Sequence, residues 1–210
     1  MAPHSSDERP STHESHAQTP TPAGGLPVTR RQFVGGATTA VAAGLAGCLG
    51  GGGTDDAPAP VTIPDGATCD VCGMAITQQP GPTAEIFYAN ARPSDHENPA
   101  RFDSVWEAFQ FDFRHDWTRT AFYVTDYSAV DYDVRTDGDQ QLLSTHYERA
   151  AFVDATAATY VVGSAVVGAM GKDLVGFAER ADAERFRDEY GGDLATFDDV
   201  TPDLVSSLGA

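Results

Sequence analysis

The chain of 210 residues is nearly devoid of lysine: Lys172 is the only one, and 13 basic residues face 31 acidic ones, giving a net charge of −18 and a pI near 4.4. With so little positive charge it has no basic patch to neutralise phosphates, which excludes nucleic acid as a partner. Abundant aspartate without lysine reads instead as the solvated surface of a halophile protein, soluble at high salt where screening removes the repulsion. Cysteine is scarce too, at three residues, so the chain carries no disulfide framework. The apolar run from Phe33 to Leu45 is too short to span a membrane, reaching about 20 Å against a hydrocarbon core of about 30 Å. No nucleophile, base and oxyanion constellation is evident, and no phosphate loop; Val162-Gly163-Ser164 lacks the surroundings of a nucleophile elbow. The residues do not describe an enzyme.

What is present begins with an address. Residues 1–29 are rich in Ser, Thr, Pro and His and are expected to be disordered. Arg30-Arg31 then precede the short apolar run, the pattern of a twin-arginine export signal. Leu45-Ala46-Gly47-Cys48 resembles a lipoprotein processing box, in which Cys48 becomes the lipid-carrying N-terminus; the alternative is a plain export signal with an incidental cysteine. The organisation read from this is a signal over 1–48, a Gly/Pro tether over 49–64, and a folded part held at the extracytoplasmic face of the membrane.

With Cys48 assigned to the anchor, Cys69 and Cys72 are the thiols of the folded part. They lie in Thr68-Cys69-Asp70-Val71-Cys72-Gly73-Met74-Ala75-Ile76, which gathers two thiols and a thioether within six residues. A Cys-x-x-Cys turn serves as a reversible disulfide, half of a zinc site, or a clamp for another soft metal. Gly73 lets the chain fold sharply behind the second thiol. Thiolate together with the Met74 thioether is the donor set that favours Cu(I). Zinc lacks a second ligand pair, since His96, His115 and His146 are scattered, although His96 and His146 are candidate helper ligands. Thiol–disulfide oxidoreductase chemistry at Cys69 and Cys72 is the stronger rival, but the motif leads into strand-like sequence with no helix dipole to lower a thiol pKa.

The remainder reads as α+β. Strands are expected at 84–90, 121–125, 159–164, 173–177 and 195–198. Phe102, Val105, Trp106 and Phe109 mark one face of a helix from Ser104 to about Arg114, with capping-box spacing from Ser104 to Glu107. A second helix is capped by Asp182 and stopped by Gly191-Gly192, and a third opens with Thr201-Pro202. Asp137-Gly138 is a turn. Glu85, Asp103 and Asp154 are assigned to the acidic surface or to caps. Each half has a Met-containing turn, a strand, an amphipathic helix and another strand, which gives two similar lobes over 65–138 and 139–210. If the lobes pack about a pseudo-twofold axis, Met74 and Met170 face one cleft.

Taken together, Cys69-Asp70-Val71-Cys72-Gly73-Met74-Ala75-Ile76, Phe102-Asp103-Ser104, Thr159-Tyr160-Val161-Val162-Gly163-Ser164, Met170-Gly171-Lys172-Asp173-Leu174 and Gly191-Gly192 resemble the NosL-type copper-chaperone lipoproteins. The resemblance covers nearly all of the chain after the tether. It implies two α+β lobes related in fold to an organomercurial-lyase domain, and a lipid-anchored carrier that passes Cu(I) to nitrous-oxide reductase with that enzyme's copper-site assembly proteins. The metal ligands it implies are Cys69, Cys72, Met74 and Met170. One departure is Ala169, where the family pattern has proline.

Overall fold

The computed structural model describes residues 57–89 and 96–209. The signal, Cys48 and the first half of the tether lie outside them. In chain order the elements are β1 (Ala84–Tyr88), β2 (Ala100–Phe102), α1 (Val105–Arg114), β3 (Arg119–Thr125), β4 (Val134–Asp137), β5 (Gln140–Leu143), β6 (Phe152–Asp154), β7 (Thr159–Gly168), β8 (Gly171–Phe177), α2 (Arg180–Tyr190), β9 (Asp193–Ala195) and α3 (Pro202–Leu208). They form the expected α+β arrangement, built on two sheets. The first is antiparallel in the order β2-β1-β3-β6; the second runs β4-β5-β7-β8, with β9 on β7 beside β5.

In the first sheet, Ala84, Ile86 and Tyr88 of β1 turn inward to meet Phe102, Phe122, Val124 and the α1 residues Val105, Ala108, Phe109 and Phe111. The α1 stripe differs from the sequence reading at one position. Trp106 is only partly buried and turns to α3, where its indole N–H donates to the Val205 carbonyl at 2.6 Å. Phe109, 1% exposed, stacks on Phe122, Tyr160 and Phe197 and so joins the sheets; burying it is worth about 2–3 kcal/mol.

The second sheet is covered on both faces, which explains the unbroken apolar run in β7. Tyr160, Val162 and Leu174 belong to the first core, whereas Val161, Val175 and Phe177 pack under Ala183 and Phe186 of α2. The sheets approach closely at Gly176, where a Cβ would lie 3.0 Å from both the Thr125 carbonyl and the Val124 side chain.

Several boundaries move. The first strand stops at Tyr88, and the 159–164 strand runs on to Gly168, where a two-residue turn carrying Ala169 and Met170 leads into β8. The second helix begins at Arg180 after Glu179, whose N–H donates to the Ser128 hydroxyl, and Asp182 pairs with Arg185 instead of capping. The last strand is 193–195, because Thr196 caps a short 3₁₀ turn over Phe197–Asp199. The Asp137-Gly138 turn closes the β4–β5 hairpin. The strands interleave: β4 joins the second sheet, then β6 returns to the first.

The far end of the proposed tether is not free. The Tyr123 hydroxyl donates to the Pro58 carbonyl, Val61 N–H donates to Glu85 Oε2 at 2.9 Å, and Ile63 is 0% exposed. The spacer thus docks from Pro58 onward, because Glu85 and Tyr123 are cross-strand partners on β1 and β3 and offer it polar anchors. Glu85, assigned to the surface from sequence, is fully buried beneath it.

Candidate metal site

The Cys-x-x-Cys segment is a small closed loop. A bridge between Thr68 and Ala75 closes it, Cys69 N–H donates to the Met74 carbonyl at 2.9 Å, and Gly73 N–H returns to the Cys69 carbonyl at 3.0 Å. Gly73 takes φ +74°, the left-handed conformation that tightens the turn behind Cys72. Asp70 hangs the loop on edge strand β2: its N–H donates to the Arg101 carbonyl at 2.9 Å and its carboxylate accepts the Arg101 N–H at 2.7 Å.

Opposite the loop lies the start of α1. The Ser104 hydroxyl accepts the Glu107 N–H at 3.2 Å, and this N-cap fixes the turn that presents Asp103 and Glu107. The Cys69 thiol donates to Glu107 Oε2 at 2.9 Å, and the Cys72 thiol faces the two Asp103 oxygens at 3.5 and 3.6 Å. The four donor atoms lie within 4.8 Å of one another. Cys69, Asp103 and Glu107 are buried while Cys72 is exposed, so the cluster opens to solvent through one thiol.

The electrostatics suit a cation. Burial pushes the Cys69 thiol well above its ordinary range, and the Glu107 hydrogen bond pushes it further. Burial also raises Cys72, with the Asp103 charge adding to it. Glu107 is pushed up to about 7, chiefly by burial and then by Asp103 beside it. Without a metal the thiols keep their protons; a bound cation would replace those protons and offset the crowded carboxylates. The same raised thiols count against redox chemistry, which needs an accessible thiolate. The loop runs into a 3₁₀ turn at Ile76–Gln78, which supplies no long helix dipole.

The sequence candidates therefore separate. Cys69 and Cys72 come together. Met74, partly buried, is joined to Cys69 through its carbonyl. Met170 is 40% exposed on the β7–β8 turn. In the two methionine turns the left-handed glycine sits on opposite sides of the methionine: Gly73, at φ +74°, precedes Met74, whereas Gly171, at φ +95°, follows Met170. His96 contacts Asp70 Oδ1 at 3.0 Å, adjacent to the loop but outside the four-donor cluster. His146 contacts the Ser144 hydroxyl, and His115 stacks on Phe111 and Trp117. Asp103, assigned from sequence to the surface or a cap, is 1% exposed and faces a thiol. Glu107, read as the second half of a capping box, turns its carboxylate to Cys69. The available signal was the placing of the two acids on either side of the N-cap Ser104, which puts both at the same end of α1.

A two-sheet α+β fold carrying a thiol–carboxylate cluster that could hold a metal ion, and that opens to solvent through Cys72 alone, defines the class of protein. The chain belongs to the NosL family, whose sequence pattern matches residues 60–205. It is 29% identical over 170 residues, 81% of this chain and 80% of the relative, to the copper-binding lipoprotein NosL of Stutzerimonas stutzeri. Among solved structures, that of the copper chaperone NosL from Shewanella denitrificans matches with a TM-score of 0.55 at 30% identity, covering 70% of this chain and 98% of that one.

Proposed function

We propose that this chain is a membrane-tethered, extracytoplasmic carrier that binds Cu(I) through Cys69 and Cys72 and delivers it to nitrous-oxide reductase and its copper-site assembly proteins. The observation that carries the reading is the meeting of two thiols and two carboxylates at a solvent-open loop. Cu(I) favours soft, low-coordinate thiolate and thioether surroundings. Met74 and Met170 are the candidate thioether donors. Asp103 and Glu107 accept the thiol hydrogen bonds of the metal-free site and supply negative charge around the ion. Exposure of Cys72 gives an acceptor's ligands a place to attack, as a carrier that must release its cargo requires. The copper-binding relatives support the choice of metal, and the lipoprotein relative supports anchoring through Cys48.

Titration of the reduced, soluble domain with Cu(I) against a competing chelator tests this. Tight binding is expected, and it should collapse in a Cys69→Ser, Cys72→Ser double variant. Equal affinity in that variant would refute the assignment. Zinc titrated in parallel distinguishes a Cu(I) carrier from a site that holds Zn(II) as tightly.

A further inference from the structure

The carboxyl of Asp173 is 2% exposed and sits in β8, on the opposite sheet from the Cys-x-x-Cys loop. Its Oδ1 accepts the backbone N–H of Trp106 at 2.8 Å and the N–H of Leu174 at 2.8 Å, whereas Oδ2 is buried with no partner in hydrogen-bond geometry among the described residues, the Ser104 hydroxyl lying close to the carboxyl. Trp106 stands between the two site carboxylates in sequence, next to Glu107 and two residues after the N-cap Ser104. The first turn of α1 is therefore held at two points: Ser104 Oγ takes the Glu107 N–H and Asp173 Oδ1 takes the Trp106 N–H. Around Oδ2 the packing is close. A Cβ on Gly168 would lie 3.0 Å from it and 3.4 Å from the Gly81 Cα, just beyond the Cys-x-x-Cys loop.

A buried carboxyl with one oxygen unused costs stability, and a neutral acceptor would cap Trp106 as well. What Asp173 contributes is location. It ties the helix start that presents Asp103 and Glu107 to the β7–β8 hairpin whose turn carries Met170. We infer that Asp173 is a positioning residue for the metal site, holding the first turn of α1 so that Asp103 and Glu107 face Cys69 and Cys72. This rests on the Cu(I)-binding reading above.

The test compares wild type with Asp173→Ala, Asp173→Asn and Gly168→Ala, each shown to be folded by near-ultraviolet circular dichroism. Cu(I) competition titrations and the sulfur-to-copper absorption band are the readouts. Direct outer partners of metal ligands are worth about 10–100-fold in affinity, and Asp173 acts one step further out through α1, so Asp173→Ala should bind Cu(I) about tenfold more weakly, at the low end of that range, with an altered band. Asp173→Asn keeps an acceptor for both N–H groups and should stay within about threefold of wild type. Gly168→Ala, which presses on Oδ2, should weaken binding by a smaller factor. If Asp173→Ala fails to fold, the other two variants decide. Wild-type affinity in folded Asp173→Ala, or in Gly168→Ala when Asp173→Ala does not fold, overturns the inference. An Asp173→Asn loss as large as that of Asp173→Ala also overturns it, because charge and not placement would then be the cause. A wild type that does not bind Cu(I) fails at the functional reading itself, and the positioning role falls with it.

Discussion

At the scale of single residues, the site consists of two thiol–carboxylate pairs, Cys69 with Glu107 and Cys72 with Asp103. Because both thiols are raised, the proposed Cu(I) ligation requires their protons to leave, and apparent Cu(I) affinity should climb from pH 6 to pH 8 in competition titrations. A flat profile would contradict thiolate ligation. Glu85 supports a separate prediction. Burial lifts its carboxyl from 4.5 to about 7, and the Val61 N–H and then its cross-strand neighbour Arg101 offset only part of that. The folded state thus holds this proton more tightly than the unfolded chain. The resulting stabilisation is complete below about pH 4.5 and is lost as pH rises through about 7, a change of about 3 kcal/mol. Glu85→Gln should therefore gain on wild type by about that amount between pH 4.5 and pH 8 in urea unfolding. The thiols were legible in the sequence because a Cys-x-x-Cys pair is a local pattern. Glu85, Asp103 and Glu107 were not, since an acidic residue in a chain of net charge −18 looks like one more surface charge.

At the scale of elements, α1 depends on its cap. Removing the Ser104 hydroxyl with Ser104→Ala should cost about 1 kcal/mol, read as a lower denaturation midpoint, and should loosen the turn that carries Glu107. The docked spacer matters as much. Ile63 is fully buried against the core, so Ile63→Ala should cost about 2–5 kcal/mol in the same assay. A freely tethered spacer would show no effect. The α1 cap, the Gly191 stop and the Thr201-Pro202 start of α3 could all be read in advance, because each is a contact within one turn of the helix it bounds. The seating of Pro58–Ile63 could not. Proline and alanine in that stretch describe its stiffness and say nothing of the polar groups awaiting it on β1 and β3.

At the scale of the whole molecule, charge and packing oppose each other. With 31 acidic and 13 basic residues in the full chain, self-repulsion weakens the fold at low salt. Raising sodium chloride from about 0.1 M to about 1 M shortens the screening length from about 10 Å to about 3 Å and should raise the thermal midpoint. No gain would mean that the acidic residues are already balanced locally. The α+β character was visible as a repeated order of turn, strand and helix. The exchange of β4 and β6 between sheets was not, because periodicity along a strand records that a face is buried without recording its neighbour.

By itself the sequence determined the soft donors, the glycine behind them, the helix caps, the acidic surface and the mixture of helix with alternating strands. All of these are written in neighbouring residues. Only the tertiary structure decided that Glu107, 38 residues from Cys69, and Asp103, 31 residues from Cys72, complete the cluster, and that Asp173 of the other sheet holds their helix in place. Those meetings follow from how buried faces pack against each other, and no local pattern encodes which faces will meet.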